Sequence, residues 1–110
     1  MNNEKNIYIE ERHWAIVKDI LSKYPYTFYA FGSRVKGTQR RFSDLDIYSP
    51  DFLPLDIQGQ IDEDFEKSDL PFTVDVVSQY RMTSEFQAII QKNLVLIQES
   101  HPSNMHINKD

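Results

Sequence analysis

Cysteine is absent from this 110-residue chain, which excludes disulfides and zinc–thiolate sites and fits the cytoplasm, the expected location. No apolar run approaches the length of a membrane span, and no basic-then-apolar signal peptide opens the chain, so no membrane association is expected. Positive charge is in deficit. Twelve Lys and Arg against 17 Asp and Glu leave a net charge of −5, which argues against broad electrostatic binding to nucleic acid. Internal repeats, low-complexity segments and linkers are missing as well. What remains suffices for a core: 40% of residues are hydrophobic and 13% aromatic, so disorder is not the default expectation. The length suits one compact domain, with a core expected over about residues 8–98, a frayed start over residues 1–6 and a polar tail over residues 99–110.

Periodicity then orders the chain. Trp14, Val17, Leu21 and Tyr24 recur at three and four residues and predict a helix over about residues 9–24, ended by Pro25. The aromatic run at residues 26–31, bounded by Pro25 and Gly32, predicts a first strand. A short helix should follow Ser33 and stop near Gly37, and a second strand should cover residues 44–48. Residues 54–67 place Leu55, Ile57, Ile61 and Phe65 near one helical face, with Gly59 expected to interrupt it. Residues 72–77 predict a third strand. Thr83-Ser84-Glu85 opens a helix with Phe86, Ile89 and Ile90 facing inward, and residues 94–97 form a last short strand.

Residues 32–46 carry the chemistry. Gly32 lets the backbone turn closely after a buried strand, and Ser33 offers a hydroxyl and an amide where a helix N-terminus favours anions. After a ten-residue gap come Asp44 and Asp46, two apart, a spacing that aims both carboxylates to one face of an extended strand. Together these residues describe a site for a metal-bound polyphosphate. Asp44 alone could equally cap the turn after Ser43. Asp75 stands inside Thr73-Val74-Asp75-Val76-Val77, where an isolated charge costs several kcal/mol unless paired or metal-bound. A strand end or an ion pair is the alternative reading.

Gly-Ser, the gap and Asp-x-Asp together resemble the nucleotidyltransferase superfamily of DNA polymerase beta and the kanamycin nucleotidyltransferases. The wording Gly-Ser-Arg-Val-Lys-Gly, then Ser-Asp-Leu-Asp-Ile, is similar to the minimal nucleotidyltransferases, often encoded beside a helical HEPN-domain partner in toxin–antitoxin pairs. The resemblance implies a small α/β domain, a mixed sheet of three or four strands with flanking helices. It implies Asp44, Asp46 and Asp75 as catalytic and metal-holding carboxylates, two Mg²⁺ ions, and ATP as donor of AMP to a hydroxyl. Gly32 and Ser33 would cradle the triphosphate, and Arg34 and Lys36 could meet its oxygens, although both could also be plain helix surface. A chain this short leaves no residues for an acceptor-gripping domain, so a partner polypeptide should supply the acceptor. A tyrosine hydroxyl of the HEPN toxin is the attractive choice.

Two rivals stay open: a non-catalytic antitoxin acting by contact, and a transferase for a polycationic small molecule such as an aminoglycoside. Homo-oligomerisation also stays open. Arg40 and Arg41 read as solvated or partner-facing, and the acidic segment at residues 51–69 as solvated helix faces or a docking surface for a basic partner. His13 reads as a packing residue, and His101 and His106 lack the neighbours for a zinc site. No serine has a glycine-elbow context, and the glycine turn lacks the Lys-Ser or Lys-Thr of a Walker loop.

Overall fold

The computed structural model describes residues 7–100, so the expected frayed start, most of the tail, His101 and His106 lie outside the described residues. The first helix, α1 (Glu11–Leu21), buries Val17, Ile20 and Leu21 along one face. His13 is buried on the same helix, edge-on to the Phe72 ring with centroids 5.7 Å apart, a packing role. The helix ends before Tyr24, short of the predicted boundary. A residue preceding proline disfavours helical backbone, and the chain tightens early, with Lys23 N–H donating to Ile20 O and Tyr24 N–H to Leu21 O.

Strands β1 (Phe28–Phe31), β2 (Leu45–Ser49), β3 (Val74–Ser78) and β4 (Val95–Gln98) form one sheet in the order β3-β2-β1-β4. β1 runs antiparallel to β2 and β4, and β2 runs parallel to β3, so the sheet is mixed. A parallel pair needs a long crossover. Here α3 (Leu55–Glu66) supplies it. Gly59 does not break that helix; a Cβ there would meet nothing within 4 Å, so the glycine costs about 1 kcal/mol of propensity and no packing.

Strand alternation gives the sheet two unlike faces. Phe28, Ala30, Leu45, Ile47 and Val76 are buried on one, in a core shared with Val17 and Leu21 of α1 and Ile61 and Phe65 of α3. Full burial of each large side chain is worth about 1.5–3 kcal/mol. Register partners Phe31 and Asp46, then Asp46 and Asp75, lie on the opposite face, where a smaller cluster of Phe31, Tyr48 and Ile90 packs. Part of that face is covered by α4 (Ser84–Ile90), whose start is capped by Thr83 Oγ1 accepting from Phe86 N–H at 3.1 Å. Of the three side chains expected inward on α4, only Ile90 is buried; Phe86 rests half out against the Phe31 ring, and Ile89 is 64% exposed. Positions 86, 89 and 90 do share one helical stripe, but packing against the sheet reaches Ile90 and part of Phe86 and leaves Ile89 uncovered.

Candidate functional site

At the end of β1 the chain reverses through Gly32, whose φ of 88° suits glycine, into the single-turn helix α2 (Ser33–Lys36). Gly37, with φ 82°, closes that turn in the left-handed region, its N–H donating to Ser33 O. The space that a Cβ at Gly32 would occupy is already taken by the Asp46 carboxylate, which the Cβ would strike at Oδ2. The glycine turn and the second acid of Asp-x-Asp therefore touch. Asp75 is the register partner of Asp46 on the neighbouring parallel strand. Asp44 precedes β2, at the point where Leu45 N–H donates to Thr73 O and opens the ladder between the strands. Gly32, Ser33, Asp44, Asp46 and Asp75 are thus gathered at one end of the sheet.

Three carboxylates so placed repel one another. Burial, then the negative charge of Asp75, then that of Asp44, push the Asp46 carboxyl from its ordinary 3.8 to about 6. A divalent cation would relieve that repulsion, and an all-oxygen donor set suits a hard ion. Among the described residues no three ligand-type side chains form a ready-made metal cage. Mg²⁺ tolerates this, because it keeps several waters and shares ligands with substrate phosphates.

Arg34 departs from its expected role as a phosphate ligand. It is 5% exposed and turned inward, with Nε donating to Ser43 O at 3.0 Å, Nη1 to Tyr8 O at 2.9 Å and Nη2 to Arg41 O at 3.3 Å. Its guanidinium lies 4.2 Å from the centre of the Phe72 ring. One side chain thus ties α2 to the segment before α1 and to the loop that delivers Asp44. Buried carbonyls need such a donor, and the fork shape of arginine serves three at once. Arg34→Ala should lower unfolding stability by about 2–4 kcal/mol, and Arg34→Lys should recover little of it. Urea unfolding beside ATP titration decides this: unchanged stability with weakened ATP binding would return Arg34 to the phosphates.

Lys36, Arg40 and Arg41 are exposed. The acidic segment is less uniform than expected. Asp51 lies off the helix and accepts from Thr27 N–H at 2.8 Å, while Asp64 accepts from Tyr24 Oη and pairs with Lys23 at 3.3 Å. Asp62 accepts from Gln58 Nε2, and burial together with the charge of Asp75 pushes its carboxyl above the usual range, while the Gln58 bond works against the rise. Sequence reading grouped Asp62 with its solvated neighbours, and only the crossover of α3 brings it toward Asp75. A cavity of about 580 Å³ opens beside Asp75 at the outer edge of β3, walled by the second half of α3 and by Phe42 and Phe72.

Comparison with known proteins bears on the family. A family model described as Polymerase beta, Nucleotidyltransferase matches residues 16–102. Over 95 residues the chain is 42% identical to the probable protein adenylyltransferase MntA of Haemophilus influenzae, covering 83% of each chain. Its fold is similar to a chain in a crystal structure of a toxin–antitoxin with AMP-PNP, at a TM-score of 0.63 and 21% identity over 84% of this chain and 77% of that one. With most of its length matched by the family model and a relative at 42% identity, the chain belongs to the polymerase beta nucleotidyltransferase family.

Proposed function

We propose that this chain transfers AMP from ATP to a hydroxyl on a partner polypeptide, and that the partner is a HEPN-domain toxin which the transfer silences. The observation that carries the reading is the register of Asp46 against Asp75 with Gly32 packed on Asp46, which unites the glycine turn and the acids. Support for adenylyl transfer to protein comes from the 42% identical relative, named a probable protein adenylyltransferase. Support for a toxin partner comes from the sequence resemblance to the minimal nucleotidyltransferases. The cytoplasm, where ATP is plentiful, is the location this reading proposes. Among the described residues no helix is long and apolar enough to cross a membrane.

Each residue has a role in this reading. Asp44, Asp46 and Asp75 hold Mg²⁺, which supplies charge neutralisation at the phosphates when bound. Gly32 and Ser33 receive the triphosphate, with Lys36 near enough in sequence to add a point charge. The acceptor oxygen forms a bond to the α-phosphorus, and the bond from that phosphorus to the bridging oxygen breaks. Pyrophosphate leaves with the electron pair, and Asp75 takes the hydroxyl proton.

Asp75→Asn tests enzyme against contact-only antitoxin. The variant should still bind the proposed HEPN-domain partner but leave that protein unmodified and toxic. Wild type with ATP and Mg²⁺ should add about 329 Da per AMP, as in-line displacement requires, read by intact-mass spectrometry. Equal protection by both proteins with no mass change would overturn the enzymatic reading.

A further inference from the structure

We propose that the outer edge of β4 is a docking surface for a second copy of this chain, the two β4 strands pairing antiparallel so that two sheets become one. The inference does not depend on the nucleotidyl-transfer reading. An edge strand presents backbone N–H and C=O groups that a further strand can take up, and folds usually blunt such edges with charge, proline or a covering side chain. The sheet has two edges, β3 and β4. On β3 the edge is blunted: Asp62, Glu66 and Asp75 line its outer side, and Val76 O already accepts from Gln58 Nε2 at 3.1 Å. Two copies meeting there would set acid against acid.

β4 is built the other way. Leu94-Val95-Leu96-Ile97 carries no charge and no proline, and no residue of β4 is buried. Val95 and Ile97 pack on the core shared with α1, while Leu96 is 47% exposed. The end of the strand is fixed: Gln98 Nε2 donates to Tyr24 O at 2.8 Å and Tyr26 O at 3.0 Å, and Ser100 N–H to Thr27 Oγ1 at 3.0 Å. A pre-ordered edge lowers the ordering cost of adding a strand.

Charge selects the occupant. A groove of about 480 Å³ flanks β4, lined by Lys18 of α1, by Ser22 and by residues 96–99. Lys18 and Glu99 are its charged residues, and among the described residues neither forms an ion pair. One charge of each sign makes the groove self-complementary, as a two-fold interface requires. A peptide of one charge sign would leave one of them unmatched. A two-fold axis between Ile97 and Gln98 would set Glu99 of the second copy opposite Leu96, in the groove that Lys18 lines. The acids of α3 and of the candidate site lie toward β2 and β3, so two chains of net charge −5 repel less across β4 than across β3. The acids also gather where β1 ends, and β4 runs antiparallel to β1. The two acid clusters of the pair therefore open at opposite ends of the joint sheet, and neither chain supplies a residue to the other's site. Short strands fall below the roughly 1,200–2,000 Å² buried in stable complexes, so a dissociation constant of about 10–100 µM is expected.

Sedimentation velocity of the full chain reads the assembly, and wild type should pass from monomer to dimer between about 1 µM and 1 mM. Leu96→Lys should melt at the temperature of wild type, because the side chain is exposed, and should raise the dissociation constant about tenfold or more. Lys18→Glu should weaken pairing as well. Adding Glu99→Lys to it should restore pairing, which a general loss of packing would not do. Wild type that stays monomeric at about 1 mM would overturn the proposal. So would a dimer that Leu96→Lys leaves intact, or a double variant that pairs no better than Lys18→Glu alone.

Discussion

Gly32→Val is expected to reduce nucleotidyl transfer by about a hundredfold or more, the loss that a displacement of roughly 1 Å at a reacting centre can cause. Two causes act together. The φ of 88° is open to glycine and strained for a β-branched residue, a cost of about 1–3 kcal/mol. The new Cβ would also strike Asp46 Oδ2, moving the carboxylate that lies between Gly32 and Asp75. Gly32→Ala introduces that clash without β-branching, so it should fall between wild type and Val. The checks are kcat for AMP transfer and a thermal melt of each variant. Full activity in Gly32→Val would show that the turn does not position Asp46. Lost activity with an unfolded chain would show only strain, and Gly32→Ala, milder in strain but alike in clash, then separates the two.

The strands are legible in the sequence because their signals are local. Aromatic and β-branched runs bounded by Pro25 and Gly32, or by turn residues, fall within two residues of β1 to β4. Helix ends are less legible, because tertiary turns compete with propensity. Pro25 ends α1 at a distance, through the tighter turn at Lys23 and Tyr24, and Gly59 passes unnoticed because its position faces open space. Inward faces on a two-turn helix cannot be read from spacing at all. Whether Ile89 is covered depends on how far α4 extends over the sheet, which no local pattern encodes.

Candidate site residues divide the same way. Gly32, Asp44 and Asp46 announce themselves by spacing, and the register of β2 against β3 brings in Asp75. Arg34 misleads, because a basic residue after Gly-Ser suggests phosphate, whereas the fold uses it to hold three carbonyls. Its burial follows from the approach of residues 7–9 to α2, marked by Tyr8 N–H donating to Arg34 O at 2.7 Å. Asp62 and Glu66 are lost among the acids of α3 for the converse reason. Their spacing of four marks one helical face, but only the position of β3 gives that face a cavity.

Asp46→Asn should sharply reduce metal-dependent transfer while making the metal-free protein more stable at neutral pH. The Asp46 carboxyl is raised from 3.8 to about 6 by burial, then by Asp75 and Asp44. Between those values the folded chain binds the proton more tightly than the unfolded chain, so stability falls as pH rises through the window. Above about pH 6 the unfavourable charge is fully present in the folded state. Asn keeps the shape and removes the charge, so its melting temperature should exceed that of wild type at pH 7 and converge with it near pH 4. Mg²⁺ should raise the melting temperature of wild type by binding the folded state and do much less for the variant. Transfer should fall about a thousandfold, because several kcal/mol of charge stabilisation at the phosphates goes with the carboxylate. Melting curves from pH 4 to 8, with and without Mg²⁺, and single-turnover AMP transfer read these effects separately. A variant less stable than wild type at pH 7, and equally protected by Mg²⁺, would mean that Asp46 is a structural acid. The cost to stability comes from three carboxylates held at one end of a sheet, and the metal role proposed for them would draw on that same arrangement.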